Sequence, residues 1–403
     1  MLRKKSSKLK LTNFLKVADS TGSEIKDELF ILNGKITVDK EPKKANDVLE
    51  IDCKNCILAP GFIDPQVNGF NKCNFWDVTP DYKEIDKLRL DLAYCGVTAF
   101  CPTLITAPVE KIVKSIDHIN SYIEQSEGDA GAAILGIHIE GVFITKFGVH
   151  EGKYVQNNLT PEAIKPFLKD NVILFTLAPE LDLTGEAIKL LKQNNILVSV
   201  GHSNATYKEG KAAIEKYDLN TVTHMFNALR GINGFSHRDK GFSGLEILKE
   251  KIDNEKKINP DEDGIMLALL KDKNLLCMII ADGIHVNLEV VRFLKEVKGK
   301  ANFSLASDIV SSDFYNESKS RGILGGGQIT LNKCVQNLIK CNILNIEDSL
   351  ISASKPIISR LNTGKYQRLG EISVSSRANI VIWNTKKNNV KGTIIGQNAF
   401  LNY

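Results

Sequence analysis

The sequence has no apolar stretch long enough to cross a bilayer; its longest runs, such as Leu275 to Ala281, fall far short of the roughly 18 residues a span requires. Residues 1–20 also lack the apolar segment and small-residue cleavage site of an export signal, so a cytoplasmic setting is expected. Proline is scarce, with 11 in 403 residues, and 43% of the chain is apolar, which excludes collagen-like and disordered classes. Net charge is small: 52 Lys+Arg against 48 Asp+Glu give +4, without the clustered basic face that nucleic acid binding needs. Lys4, Lys5, Lys8 and Lys10 form one basic cluster, which reads as a solvated N-terminal tail.

Several catalytic signatures are missing too. There is no G-x-x-x-x-G-K-[ST] phosphate loop, no G-x-S-x-G elbow, no H-E-x-x-H helix and no G-x-G-x-x-G after a strand; Gly325-Gly-Gly327 reads as a turn. Eight cysteines lie scattered, several inside apolar segments of a chain large enough to fold without staples, so reduced thiols are expected. Cys53-Lys-Asn-Cys56 has zinc-knuckle spacing, but no second Cys or His pair follows closely, and it is not read as a metal site.

What is present is a regular grammar. Leu29 to Thr37 and Val48 to Cys53 read as short strands, with Asn33-Gly34 a hairpin turn. After Pro60 come eight short apolar runs: Gly61–Asp64, Val97–Pro102, Ile134–Glu140, Val172–Ala178, Ile196–Val200, Thr221–His224, Leu276–Asp282 and Phe303–Asp308. Helical periodicity fills most of the gaps, for example Tyr82–Cys95, Val109–Ile123, Thr184–Gln193 and Tyr207–Lys216. Eight β units with intervening helices predict an α/β fold, a (β/α)8 TIM-type barrel; an open doubly wound sheet is the competing arrangement. The last segment, from Ala378, returns to hairpin grammar, so both chain ends are expected to build one small β-sandwich domain from residues 1–59 and 365–403 around a barrel of residues 60–364.

The polar residues on those runs are informative. Glu140, His202, His224, His285 and Asp308 each lie at or just after the C-terminal end of an apolar run, on five different units. In a barrel these ends converge on one mouth. Two imidazoles and a carboxylate suit a divalent ion of the zinc or iron kind, and an aspartate nearby suits a proton acceptor. Ser203, Asn204 and Thr206 can cap a helix just after His202, whereas Asp308 and Ser311 could instead cap the turn that follows them.

Taken together, Pro60-Gly-Phe-Ile-Asp-Pro-Gln66-Val-Asn68-Gly69, His138-Ile-Glu140-Gly141, Gly201-His202-Ser-Asn-Ala-Thr-Tyr207, Thr223-His224-Met-Phe-Asn227-Ala228, Ala281-Asp-Gly-Ile-His285-Val286 and Ser307-Asp308 resemble the N-acetylglucosamine-6-phosphate deacetylase family of amidohydrolases. The resemblance implies one divalent metal per subunit, Zn2+ or Fe2+, on Glu140, His202 and His224. Many amidohydrolases carry His-x-His for a second metal where this chain has Gln66-Val-Asn68, and amides are poor ligands beside imidazole. Asp308 matches the aspartate that deprotonates the attacking water and then protonates the departing amine. His150 matches a histidine at the substrate amide, in a carbonyl-orienting or oxyanion role. Gln66, Asn227, Ala228 and His285 match substrate-binding positions. Arg238 matches an arginine that reaches the phosphate, commonly across a homodimer interface. The implied substrate is a phosphorylated amino sugar, with no nucleic acid or membrane partner.

The chain departs from the family pattern at Val142, where Pro is usual, at Lys240, after Asp308, and in the charged loop Phe242–Gly264. Three other functions fit part of the pattern. A deacetylase for the galactosamine isomer differs only in recognition of the sugar 4-OH. A cyclic-amide hydrolase usually needs the paired histidines that Gln66 and Asn68 replace. A catalytically inactive barrel used for binding would have lost ligands or the base, and all four positions are present.

Overall fold

The computed structural model describes residues 1–18, 28–37, 48–76, 80–126, 130–238, 244–362 and 368–402. Its centre is a nearly closed parallel sheet of eight main strands: β1 (Phe62–Val67), β2 (Val97–Ile105), β3 (Ile137–Glu140), β4 (Val172–Leu177), β5 (Leu197–Val200), β6 (Thr221–Val222), β7 (Leu276–Ile279) and β8 (Phe303–Leu305). A two-residue strand, Ala133–Ile134, also pairs with β2. The remaining seam, between β8 and β1, is joined beyond the end of β8 by a parallel bridge between Val67 and Ile309 and by Asp64 Oδ1 accepting the Ser307 N–H at 3.1 Å. The competing open sheet is therefore set aside.

The strands form where residues are apolar on both faces, as a sheet wrapped by helices requires. Helices such as Tyr82–Tyr94, Val109–Gln125, Glu186–Gln193 and Tyr207–Tyr217 bury one stripe each against it. Two runs extend further than the apolar pattern predicts. β1 continues through Pro65 and Gln66 and β2 through Thr103, because barrel interiors bury these polar side chains among other strands. The run expected from Ile134 to Glu140 is broken at Leu135-Gly136.

The chain ends meet in a second core. One sheet of six strands joins Leu2–Lys5, Asn398–Leu401, Asn389–Ile395, Asn379–Asn384, Cys56–Pro60 and Lys16–Val17; a four-stranded sheet joins Lys35–Thr37, Glu28–Leu32, Lys8–Thr12 and Leu49–Asp52. Leu9, Leu11, Ile31 and Ile51 of the smaller sheet share one cluster with Leu58, Ile380, Ile382 and Ile394 of the larger, so the two sheets are packed face to face. Cys53 and Cys56 sit in this core, where burial pushes the Cys53 thiol up to about 12.

Two expectations need correction. The N-terminal lysines do not form a loose tail: Lys4 and Lys5 lie in an exposed strand paired with Asn398–Leu401, and Lys8 and Lys10 in a strand paired with Glu28–Leu32, where they alternate outward with Leu9 and Leu11 inward. The charged segment expected as a loop contains the helix Leu245–Asp253 and a single 3-10 turn, Glu255–Lys257; Lys240 and Phe242 lie outside the described residues.

Trp383 packs the six-stranded sheet against the barrel. It is fully buried in the six-stranded sheet, its ring meets Phe62 of β1 edge-on at 6.3 Å, and its indole N–H has no partner among the described residues. Replacing Trp383 by Ala therefore removes packing without breaking a hydrogen bond and should cost about 3–5 kcal/mol in urea unfolding. A loss below about 1 kcal/mol would show that the sheet and the barrel do not depend on this contact.

Candidate active site

The carboxyl ends of the barrel strands open into one cavity of about 460 Å³. Glu140 closes β3, His202 follows β5 and His224 follows β6, and their ligating atoms lie within 4.8 Å of one another, all buried. Glu140 Oε1 is 2.8 Å from His224 Nε2 and 3.3 Å from His202 Nε2, and the two imidazole nitrogens are 3.2 Å apart. Two imidazole nitrogens and a carboxylate oxygen converging so closely are the donor set of a cation site. The outer nitrogen of His202 supports this: its Nδ1–H donates to the Lys146 carbonyl at 2.7 Å, which leaves Nε2 with its lone pair toward Glu140 and His224.

Burial opposes ionisation of Glu140, but the two imidazoles outweigh it and hold the carboxylate well below its ordinary range. Burial likewise opposes the charging of His224, and there the Glu140 carboxylate outweighs it and raises the imidazole. Asp308, beyond β8, is pushed up to about 8 by burial and then by the Glu140 charge. Its Oδ1 accepts the Asn68 amide at 2.6 Å, so Asp308 does not cap the next helix; Ser311 does.

Left-handed backbone recurs at this mouth. His202, His224, Phe226, Ala228 and Asp308 have φ between 34° and 80°, in a region that side-chain-bearing residues seldom occupy. A left-handed residue after each of β5, β6 and β8 turns the chain sharply where the functional side chain sits, and such conformations concentrate at functional sites. Downstream of His202 the loop is secured by Thr206, the one of the three candidate residues that caps the helix, through a reciprocal box with Glu209.

His150 arrives from the loop after β3. It lines the cavity with its ring centroid 4.3 Å from that of His202, and burial, then His202, hold its imidazole down to about 3. His285 also lines the cavity: Asp282 holds its Nδ1–H at 2.7 Å and clamps the backbone N–H of Ile284 and His285, leaving Nε2 buried without a partner among the described residues. Asn227 and Ala228 follow His224, and Arg238 lies on the wall of the same chain's cavity, its Nη2 3.4 Å from Asn227 Oδ1. Gln66 is placed otherwise than expected. It is wholly buried, absent from the cavity wall, and its amide has no partner among the described residues, whereas its neighbour Asn68 faces the cavity.

Other cavity residues escaped the sequence reading. Lys146 lines the wall with Nζ on the Leu229 carbonyl at 2.7 Å, and Trp76 and Phe314 form an apolar side with ring centroids 3.7 Å apart. Gly325 and Gly326 also face the cavity, and Gly327 N–H donates to the Asp308 carbonyl at 2.7 Å, so the triple glycine is a brace for Asp308. Thr106 stands behind the cavity wall, its hydroxyl 2.7 Å from His150 Nδ1, and it alone had a visible signal, being the polar residue just after a strand read too short. His138 is not among the ligands: it lies in the barrel interior, bonded to the Pro65 carbonyl at 3.1 Å and the Thr176 hydroxyl at 2.8 Å.

The amidohydrolase family pattern matches residues 57–352, most of the chain. The chain belongs to the amidohydrolase family. These enzymes depend on a metal, and the Glu140, His202 and His224 cluster of this amidohydrolase is the one group of its kind among the described residues. The N-acetylglucosamine-6-phosphate deacetylase of Caenorhabditis elegans is 30% identical over 94% of this chain and 92% of its own. In three dimensions the chain resembles N-acetylglucosamine-6-phosphate deacetylase from Pasteurella multocida, with 24% identity, a TM-score of 0.78 and coverage of 98% and 100%. It also resembles a Mycobacterium smegmatis mutant of the enzyme in complex with N-acetyl-D-glucosamine-6-phosphate, with 21% identity, a TM-score of 0.72 and coverage of 97% and 99%. These structural likenesses concern the fold.

Proposed function

We propose that this amidohydrolase hydrolyses the acetamide of N-acetylglucosamine 6-phosphate, releasing glucosamine 6-phosphate and acetate. The observation that carries the reading is a single cavity lined by a buried Glu140, His202 and His224 donor set, by Asp308, and by the cations Arg238 and Lys146. A volume near 460 Å³ is within the range of small-molecule sites and suits one phosphorylated sugar. The relative from Caenorhabditis elegans carries the same activity in its name.

Glu140, His202 and His224 would hold one divalent ion, Zn2+ or Fe2+. Such an ion polarises a carbonyl and lowers the pKa of water to about 7. Asp308, held by Asn68, takes the proton of the attacking water and delivers it to the departing nitrogen. His150 orients the amide carbonyl. Asn227, Ala228, His285 and Arg238 bind the sugar and its phosphate, with Lys146 adding a second cation to the same wall. A homodimer and a cytoplasmic setting belong to this reading. Arg238 either serves the phosphate in its own chain, where it already lies on the cavity wall, or reaches a neighbour's. No helix among the described residues is long and apolar enough to cross a membrane.

The test is acetate release from a panel of phosphorylated and unphosphorylated N-acetyl sugars after the bound metal has been quantified. N-acetylglucosamine 6-phosphate should be turned over well above the unphosphorylated sugar and the galactosamine isomer. Metal-loaded protein that cleaves only another amide would sink the assignment.

A further inference from the structure

Three features beside the metal-ligand cluster converge on one hydroxyl. Gly141 follows Glu140 with φ +110°, and a Cβ there would stand 2.3 Å from Thr106 Oγ1 and 2.9 Å from His150 Nδ1. Val142 has φ +60°, a conformation that strains a β-branched residue and that a proline cannot adopt. Its N–H donates to Thr106 Oγ1 at 3.0 Å, and that same oxygen lies 2.7 Å from His150 Nδ1. Thr106 and His150 are both buried.

The proton positions follow from counting donors. Thr106 Oγ1 accepts from Val142 and retains one proton to give. His150 Nδ1 is its other side-chain partner, so the hydroxyl donates there. The backbone N–H of Thr106 also points at Nδ1, at 3.4 Å. A proton on Nδ1 would face that N–H and would leave the hydroxyl proton without an acceptor among the described residues in a buried site, an arrangement that costs about 1–3 kcal/mol. Nδ1 is therefore the acceptor, and the imidazole carries its single proton on Nε2.

We propose that Thr106 is a positioning residue: with the N–H of Val142 it locks His150 in the Nε2–H tautomer, so that His150 presents a hydrogen-bond donor to the oxygen of the substrate's acyl group. The consequence for catalysis rests on the amide-hydrolase reading above; the tautomer lock does not. The unusual backbone of Gly141 and Val142 then has a purpose, since it lets the two groups approach and aims the N–H that fixes the hydroxyl.

The experiment uses zinc-loaded protein with ¹⁵N-labelled histidine, in which the ring signals of His150 are assigned by their loss in His150→Gln. Wild-type protein and Thr106→Ser should show an unprotonated Nδ1 and a protonated Nε2, and Thr106→Val should show a mixture of tautomers or a protonated Nδ1. In acetate release, Thr106→Val should lower kcat about 10²-fold with KM changed less than about threefold, and Thr106→Ser should restore most of the loss. A protonated Nδ1 in wild-type protein, or a Thr106→Val protein with unchanged tautomer, overturns the proposal whether or not the enzyme proves to be a deacetylase. An absence of acetate release by wild-type protein with the tautomer pattern as stated would instead count against the substrate reading alone.

Discussion

Replacing Asp308 by Asn should abolish most turnover while leaving the fold intact or more stable. The side chain is buried with Oδ1 on the Asn68 amide at 2.6 Å, and an asparagine can present its own oxygen to that donor. Packing volume and the one hydrogen bond are kept; proton transfer is lost. General acid–base groups contribute roughly 10²–10⁴-fold, and Asp308 is assigned both transfers, so a fall of about 10³-fold or more in kcat is expected. Metal content should stay at the wild-type level, because Glu140, His202 and His224 are untouched.

The stability half of the prediction has a sign. In the ion-free protein Asp308 titrates at about 8 against an ordinary value of 3.8, raised by burial and then by the Glu140 charge. Folding therefore favours its neutral form. The penalty for its charge is absent below about pH 4 and grows as pH rises toward 8. Asparagine removes that penalty, so the ion-free variant should gain stability relative to the wild type as pH rises through this window, which thermal unfolding at several pH values would register. Near-normal turnover would remove Asp308 from the base role, and equal stability differences at pH 5 and 8 would remove the charge argument.

The residues of this site differed in how far they could be read from order and pattern alone. Eight doubly buried strands announce themselves as apolar runs, and the barrel rule then places Glu140, His202, His224, His285 and Asp308 at one mouth without any contact being known. His150 obeys no such rule. It sits on a loop ten residues beyond Glu140, and only the family resemblance singled it out. Its partner Thr106 was within reach of the strand-end rule but lay past Pro102, where the apolar run had been ended too early; the barrel interior accepts both Pro102 and Thr103 as fully buried residues. Gln66 shows the opposite failure. Its position in the motif suggested substrate, whereas Gln66 and Asn68, two residues apart, point to the same side of the chain and only Asn68, just beyond the end of β1, is on the cavity wall, Gln66 being buried before it.

The N-terminal lysines were misread because charge density outweighed periodicity. Lys8-Leu-Lys-Leu-Thr12 alternates as a strand with one wet face should, and the pairing that orders it comes from Glu28–Leu32 and Leu49–Asp52, distant in sequence. Arg238 could be recognised as a phosphate-binding position but not assigned to a chain. Its contact with Asn227 depends on how the segment after His224 folds back, which no local pattern records.

Replacing His202 by Ala should empty the metal site and with it the activity. Its Nε2 supplies one of the three donors around the position between Glu140 and His224, and its Nδ1–H ties the loop carrying Lys146 to the end of β5. Alanine removes both. Two donors remain, one fewer than the three protein ligands usual in a catalytic zinc site. Metal measured after gel filtration should fall from about one per chain to less than about a tenth, and acetate release should fall in proportion. Glu140→Gln should reach a similar end by a different route, since it keeps the shape but removes the negative charge that the two imidazoles hold well below its ordinary range. Lys146 separates the two roles of His202: because the loop is tied through the Lys146 main-chain carbonyl, Lys146→Met should keep the metal and lose phosphate selectivity. Full metal occupancy in His202→Ala would mean that the ion does not depend on this cluster, and the assignment of the site would fall with it.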